Sequence, residues 1–202
     1  ASGNPTDSKT HKFQYSTDGI GWTEENASQT NGRLIDIAYG NGYLVMAASS
    51  KSSGSTLNRN QTKDDVTSPY WLPSNPVTNQ GFQGIVFGDY DGGRFVALGG
   101  SGSHNSSNGL DWTSVRMSGE LVSFAGLGIA YGKGKFVAAG QSTETPIAVS
   151  ADGGETWALK AGGLGKGFQR IAYNGSRFLA MANNGDCLYS DDADYWYGGT
   201  TP

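Results

Sequence analysis

One cysteine, Cys187, and two histidines, His11 and His104, are all the chain holds of these residues in 202 positions. A lone cysteine excludes an intrachain disulfide, and with it a small secreted fold stapled by cystines. Lysine and arginine number 14 against 18 aspartates and glutamates, for a net charge of −4 and no basic cluster. Such a chain lacks the Lys/Arg stripe that tracks a phosphate backbone, so nucleic acid is not an expected partner. No apolar run approaches the roughly 18 residues of a membrane-spanning helix, so no membrane insertion is expected. Helix-period stretches of about ten residues are missing as well, which disfavours α/β repeats. No signal peptide is visible, although a chain opening at Ala1-Ser2-Gly3-Asn4 reads as a mature or trimmed product.

The chain is rich instead in glycine, with 32, and in aromatics, at 11%, while hydrophobic residues reach only 36%. That balance favours short strands joined by tight turns. At this length a compact fold buries roughly 70% of its unfolded surface, so neither metal nor disulfide is required, and no cofactor is expected.

Four segments repeat: IAYGNGYLVMAAS (37–49), IVFGDYDGGRFVALGG (85–100), IAYGKGKFVAAG (129–140) and IAYNGSRFLAMA (171–182). Each reads as apolar strand, Gly/Asn turn, apolar strand. Asn41-Gly42, Lys133-Gly134 and Asn174-Gly175 are placed to supply the positive φ angles of hairpin turns. A second motif alternates with the first. STDGIGWT (16–23), SSNGLDWT (106–113), SADGGETWA (150–158) and SDDADYWY (190–197) all run from Ser through Asp or Asn to Trp. The residues concerned are Ser16, Asp18 and Trp22; Ser106, Asn108 and Trp112; Ser150, Asp152 and Trp157; and Ser190, Asp192 and Trp196. A damaged fifth copy, TKDDVTSPYW (62–71), carries Thr62 and Asp64 and ends at Trp71. All five tryptophans close such a motif, at spacings of 49, 41, 45 and 39 residues. Four strands recurring every 40–45 residues or so are the mark of a β-propeller blade.

The Ser-x-Asp-x-Gly-x-x-Trp form at 150–157 resembles the Asp-box, or BNR repeat, of sialidase-type β-propellers, over nearly the whole chain from 11 to 197. The other copies fit a variant one residue shorter, with Gly19, Gly109 or Ala193 after the Asp or Asn. The resemblance implies a structural turn between the third and fourth strands of a blade. The residues make sense in that role: Asp or Asn accepts backbone N–H bonds two or three residues on, glycine takes positive φ, and Trp pins the turn to apolar surface. Five dispersed, near-equivalent copies argue for scaffold rather than catalysis.

The expected fold is therefore all-β, one propeller of about five modules (11–33, 34–82, 83–126, 127–168 and 169–202) after an N-terminal tail, 1–10. The first module has only third and fourth strands. The ring is then five-bladed with one incomplete blade, four-bladed with an overlapping seam, or part of a larger propeller. The edge of the half blade is a natural place for another protein chain to dock.

No enzyme site is expected. The sialidase resemblance implies an arginine triad, a Tyr nucleophile with a Glu partner and an Asp acid. Six arginines exist, and Arg94 and Arg177, with Lys135 between them in the series, read as exposed turn residues. His11 and His104 read as solvated loop residues, and Cys187 as a small strand residue. Asp191, Asp192 and Asp194 have calcium-like spacing but lack the rest of a calcium loop, and no metal is expected.

Ligands are expected on the face built by the loops leaving the second and fourth strands, which vary in length while the opposite turns stay short. Two of these end alike, at Gly81–Ile85 and Gly167–Ile171. Phe82 with Gln83, and Phe168 with Gln169 and Arg170, set an aromatic face beside polar groups, as sugar binding requires; Arg33 belongs to the looser counterpart at 31–35. The competing reading makes both phenylalanines core covers at blade junctions. The expected function is a non-catalytic recognition or adhesion domain, a glycan binder in an extracellular or virion-associated setting, since similar repeats resemble those of phage tail and bacterial surface proteins. The alternative is a structural subunit of a larger assembly or fibre, and a glycosidase is the third reading.

Overall fold

The computed structural model describes residues 11–16, 18–27, 33–49, 56–60, 63, 71–74, 81–99, 102–116, 126–160 and 165–200. A two-stranded sheet of β1 (His11–Tyr15) and β2 (Thr23–Ala27) comes first. Four sheets of four strands follow. They are β3 (Arg33–Gly40) to β6 (Trp71–Pro73), through β4 (Tyr43–Ser49) and β5 (Thr56–Asn60); and β7 (Phe82–Gly88) to β10 (Thr113–Arg116), through β8 (Arg94–Gly99) and β9 (Gly102–Ser106). Next are β11 (Gly126–Gly132) to β14 (Ala158–Lys160), through β12 (Lys135–Gly140) and β13 (Ile147–Ser150). Last are β15 (Arg170–Tyr173) to β18 (Tyr197–Thr200), through β16 (Phe178–Met181) and β17 (Asp186–Ser190). Strand order in every sheet follows chain order, and all pairs are antiparallel. The fold is all-β, a β-propeller.

Alternation of side chains along each strand gives every inner sheet two apolar faces, because another sheet lies on each side. Phe95 and Ala97 pack on Val45 and Ala47 of the sheet before. Phe136, Ala138 and Ala148 meet Val96 and Leu98. Phe178, Ala180 and Leu188 meet Val137, Ala139 and Ile147. The first strands β3, β7, β11 and β15 pack side by side.

The hairpin turns follow their sequences in two cases and depart in two. Asn41 (φ 51°) with Gly42 (φ 81°), and Lys133 (φ 51°) with Gly134 (φ 74°), are both left-handed, the type I′ geometry that suits strand twist. Asn174 is not left-handed: its side-chain Oδ1 accepts from the N–H groups of Ser176 (3.0 Å) and Arg177 (2.8 Å), and only Gly175 has positive φ. This longer loop, an Asx turn, corrects the two-residue turn expected there. Between β7 and β8 the extra residues wind into a short 3-10 turn, Tyr90–Gly92.

The Ser-to-Trp motifs form turns of one design. Ser150 Oγ donates to Asp152 Oδ1 at 2.8 Å and accepts from Gly154 N at 2.9 Å, while Asp152 accepts from the N–H of Glu155 (3.1 Å) and Thr156 (2.8 Å). Ser16 with Asp18, Ser106 with Asn108, and Ser190 with Asp192 repeat the arrangement. Trp112, Trp157 and Trp196 donate their indole N–H to the carbonyl of Gly109, Gly154 and Ala193. Trp71 is buried at the start of β6, whereas Thr62 and Asp64 of the fifth copy lie outside the described residues. Asp152→Ala deletes several charge-assisted bonds at once and is expected to cost about 2 kcal/mol, read as a lower urea midpoint; an unchanged midpoint would show that the turn holds its shape without the carboxylate.

The turns at Ser106, Ser150 and Ser190 each sit on the sheet before them, whereas Gly19 of the first turn has nothing within 4 Å. A Cβ on Gly109 would meet Val45 Cγ2 at 2.6 Å, and one on Gly154 would meet Val96 Cγ1 at 3.0 Å. Arg59 Nη1 donates to Asn108 O at 3.0 Å, and Lys135 Nζ to Asp192 O at 2.9 Å. Arg94 and Lys135 are therefore not exposed turn residues, as their hairpin positions suggested. Their side chains are only 19% and 25% exposed, against 48% for Arg177, which pairs with Asp191. His104 is corrected in the same way: it lies within β9, 4% exposed, with its ring edge against Phe82.

Candidate functional site

The four first strands share one alignment: Ile37, Ile85, Ile129 and Ile171 are equivalent, and the residues just before them are Asp36, Gly84, Gly128 and Arg170. One residue earlier, three strands bulge, between Leu34 and Asp36, between Phe82 and Gly84, and between Gly126 and Gly128. A bulge places one extra residue and re-aims its side chain. The residues so placed are Ile35, Gln83 and Leu127. All three line a cavity of about 320 Å³ together with Asp36, Ile85, Gly128, Ile129, Arg170 and Ile171. Every lining residue comes from β3, β7, β11 or β15, so the cavity opens where the first strands begin, on the face reached by the connections from fourth strands. Its volume is at the low end of the roughly 300–1,000 Å³ usual for small-molecule pockets.

Of the two glycines in the series, close approach restricts position 128, while a Cβ at position 84 would make ordinary contact. A Cβ on Gly128 would lie 3.0 Å from Gln169 O and 3.2 Å from Arg170 Cα. A Cβ on Gly84 would lie 3.4 Å from Ile129 Cγ2 and 3.6 Å from Asp36 Oδ2. Asp36 Oδ2 accepts from Ile85 N of the next sheet at 3.0 Å, and Oδ1 accepts from Ile37 N at 2.9 Å. At the other end of the series Arg170 Nη1 donates to Gln169 O at 3.0 Å and to Leu127 O at 3.4 Å. One anion, one cation and the exposed amide of Gln83 thus stand over walls of isoleucine and leucine. Such a site can orient a ligand carrying charge or hydroxyl groups, and its isoleucine walls supply apolar contact.

Of the residues expected to bind ligand, the structure brings Gln83 and Arg170 together here. Gln169 is half-buried beside them, its N–H bound to Met181 O at 2.9 Å. Phe82 and Phe168 are fully buried in the cores between sheets, so neither ring offers a face to a sugar. The backbone of Arg33 opens β3, but its side chain lies outside the described residues, as do loop segments 28–32, 75–80, 117–125 and 161–164. Asp36 was not singled out from sequence. The signal was present: a carboxylate stands in a column otherwise filled by two glycines and an arginine.

The calcium-like aspartates are each engaged by the protein. Asp191 pairs with Arg177 at 2.6 Å, Asp192 caps its turn, and Asp194 pairs with Lys135 at 2.5 Å and Lys160 at 2.9 Å. The bond from Tyr195 N and the other turn donors hold the Asp192 carboxyl below the usual carboxylate range. Lys135 and then Lys160 do the same for Asp194.

The class of protein that this fold defines is the β-propeller. No family model matches the chain, and no curated protein does. Solved structures do. Virginiamycin B lyase from Staphylococcus aureus superposes with a TM-score of 0.71 over 92% of this chain, at 11% identity and 61% of its own length. YCF48 bound to D1 peptide gives 0.60 over 89% of this chain, at 18% identity and 57% of its own length. The computationally designed Ika4 protein gives 0.58 over 81% of this chain and 94% of itself, at 12% identity. The chain spans about three fifths of the length of the lyase and YCF48 structures. At these identities the likeness establishes the fold.

Proposed function

We propose that this chain is a non-catalytic recognition domain whose ligand meets the mouth of the cavity between the first strands, hereafter the channel, at Asp36, Gln83 and Arg170. The observation that carries this reading is the set of three bulges at one position of successive first strands, which aims side chains into a single cavity. Asp36 spends both carboxylate oxygens on backbone N–H groups, which fits a binding and positioning role better than proton transfer. The ligand class is a surface glycan, with Arg170 and Gln83 donating to hydroxyl or carboxylate oxygens. The peptide held by YCF48 supports a protein segment as the alternative ligand for the same mouth. The resemblance of the Ser-to-Trp repeats to those of phage tail and bacterial surface proteins supports an extracellular or virion-associated setting.

A glycan array read with this protein, followed by a peptide panel, tests the proposal. Arg170→Ala is expected to weaken the best ligand about tenfold or more, the loss of one charge-assisted hydrogen bond, while leaving the thermal midpoint within a degree or two. Equal binding by the variant would move the site off the channel mouth.

A second reading, a structural subunit of a larger assembly, is favoured by the last sheet, where Leu179, Met181 and Tyr197 are 40%, 43% and 55% exposed. Light scattering decides it: a solution mass well above 21.2 kDa supports assembly, and a monomer at all concentrations removes it.

A further inference from the structure

The channel holds two opposite charges that do not pair with each other. Asp36 and Arg170 both line it and are both exposed there. They stand at the two ends of the series Asp36, Gly84, Gly128, Arg170, one residue from each first strand, and the two positions between them carry no side chain. Asp36 Oδ1 and Oδ2 each accept one backbone N–H, from Ile37 and Ile85. That uses two of the roughly four acceptor positions of a carboxylate. Arg170 Nη1 donates to two carbonyls, of Gln169 and Leu127. Its Nε and Nη2 are left over, the edge that meets a carboxylate in two parallel bonds. Backbone groups thus fix the direction of each charge without neutralising it, and among the described residues neither side chain meets an ion of opposite sign.

This arrangement ranks ligands by charge. A neutral molecule closing over the mouth strips water from both ions and returns no ionic partner to either. An anion satisfies Arg170 but brings a like charge to Asp36 inside one cavity of about 320 Å³, and a cation does the reverse. A molecule carrying both charges satisfies both ends. Between the ends, Ile35, Leu127 and Ile129 offer apolar walls, and the amide of Gln83 offers a neutral donor and acceptor.

We propose that the channel selects a zwitterionic sugar, one that carries a free amine and a carboxylate. The ammonium group sits on the unused lone pairs of Asp36, and the carboxylate on the Nε and Nη2 edge of Arg170. The C–H face of the ring lies on the isoleucine and leucine walls, with a hydroxyl on Gln83. The inference rests on the reading that ligand enters at the channel mouth, and adds to it the charge class of the ligand.

Four sugars on one scaffold separate the charges. Muramic acid carries both, N-acetylmuramic acid only the carboxylate, glucosamine only the amine, and N-acetylglucosamine neither. Each is titrated into the full chain in mildly acidic buffer, where the amine is charged, and followed by NMR at the amides of Gly84 and Gly128. Muramic acid is expected to bind about tenfold or more tighter than either singly charged sugar, with N-acetylglucosamine weakest. In Asp36→Asn the advantage of muramic acid over N-acetylmuramic acid is expected to vanish, and in Arg170→Ala its advantage over glucosamine. A substitution that only disturbs the fold would weaken all four sugars together and keep their order, which counts against the proposal. Equal affinity of muramic and N-acetylmuramic acids at Gly84 and Gly128 overturns the zwitterion and leaves the channel as an anion site. Shifts confined to other residues, or saturation by none of the four, overturn the channel reading and the proposal with it.

Discussion

Gly88→Ala is expected to destabilise the protein by about 3 kcal/mol, near the upper end for overpacking a tight site, and to lower its thermal midpoint by roughly 10 °C. The added Cβ would lie 2.4 Å from Tyr131 Cδ2, 2.5 Å from Cγ and 2.6 Å from Cε2. The methyl thus strikes the base and flank of the ring rather than a movable tip. Tyr131 cannot withdraw freely, because its other side meets Phe136 with ring centroids 4.6 Å apart. Relief requires parting β7 from β11, and those strands carry the channel bulges. Gly134→Ala is the control. That glycine has φ +74° with nothing within 4 Å, so its cost is left-handed strain alone, about 1 kcal/mol. Urea unfolding of both variants separates the causes. Equal losses would mean that backbone strain, not the ring, makes glycine necessary along this seam. Combining Gly88→Ala with Tyr131→Leu is expected to recover part of the loss, a non-additivity that distant sites do not show.

The architecture was legible because a repeat multiplies weak signals. One Ser-x-Asp-Gly turn means little, but five tryptophans at near-even spacing define a unit. The turn chemistry was readable too, since Asp152 and Ser150 act on backbone groups within four residues of themselves. What depended on distant contacts was not. His104 sits in a Ser/Gly-rich stretch that reads as loop, and only its pairing within β9 and the ring of Phe82 explain its burial. Arg94 and Lys135 look like surface residues until the next sheet's turn is laid over them. Phe82 and Phe168 precede glutamines in a pattern that suggests a sugar platform, yet alternation across a bulge turns the aromatic inward and leaves the amide of Gln83 at the channel. Asp36 was hidden for a related reason: its partner, Ile85 N, is 49 residues away.

That same buried histidine predicts how the protein responds to acid. Nδ1 of His104 lies 2.9 Å from Ser114 Oγ, and Nε2 is buried without a partner. Burial disfavours the charged imidazolium and pushes the His104 pKa down from 6.5 to about 4. The folded value lies below the unfolded one, so on acidification the unfolded chain takes up this proton first. The contribution is therefore fully present above about pH 6.5 and is lost progressively as pH falls toward 4, amounting to about 3 kcal/mol. The capping carboxylates act in a lower window. Burial raises Asp152, but the bonds from Thr156, Ser150 and Glu155 outweigh it and hold the carboxyl below its usual 3.8. Its stabilisation is present above that value and disappears only as pH falls through the depressed one. Urea midpoints should thus fall between pH 6.5 and 4.5 and drop again in stronger acid. His104→Leu is expected to flatten the first phase and leave the second. A wild-type midpoint that stays level from pH 7 to 4.5, or a leucine variant that keeps the slope, would place the titration elsewhere and show that β9 opens readily enough to hydrate the ring.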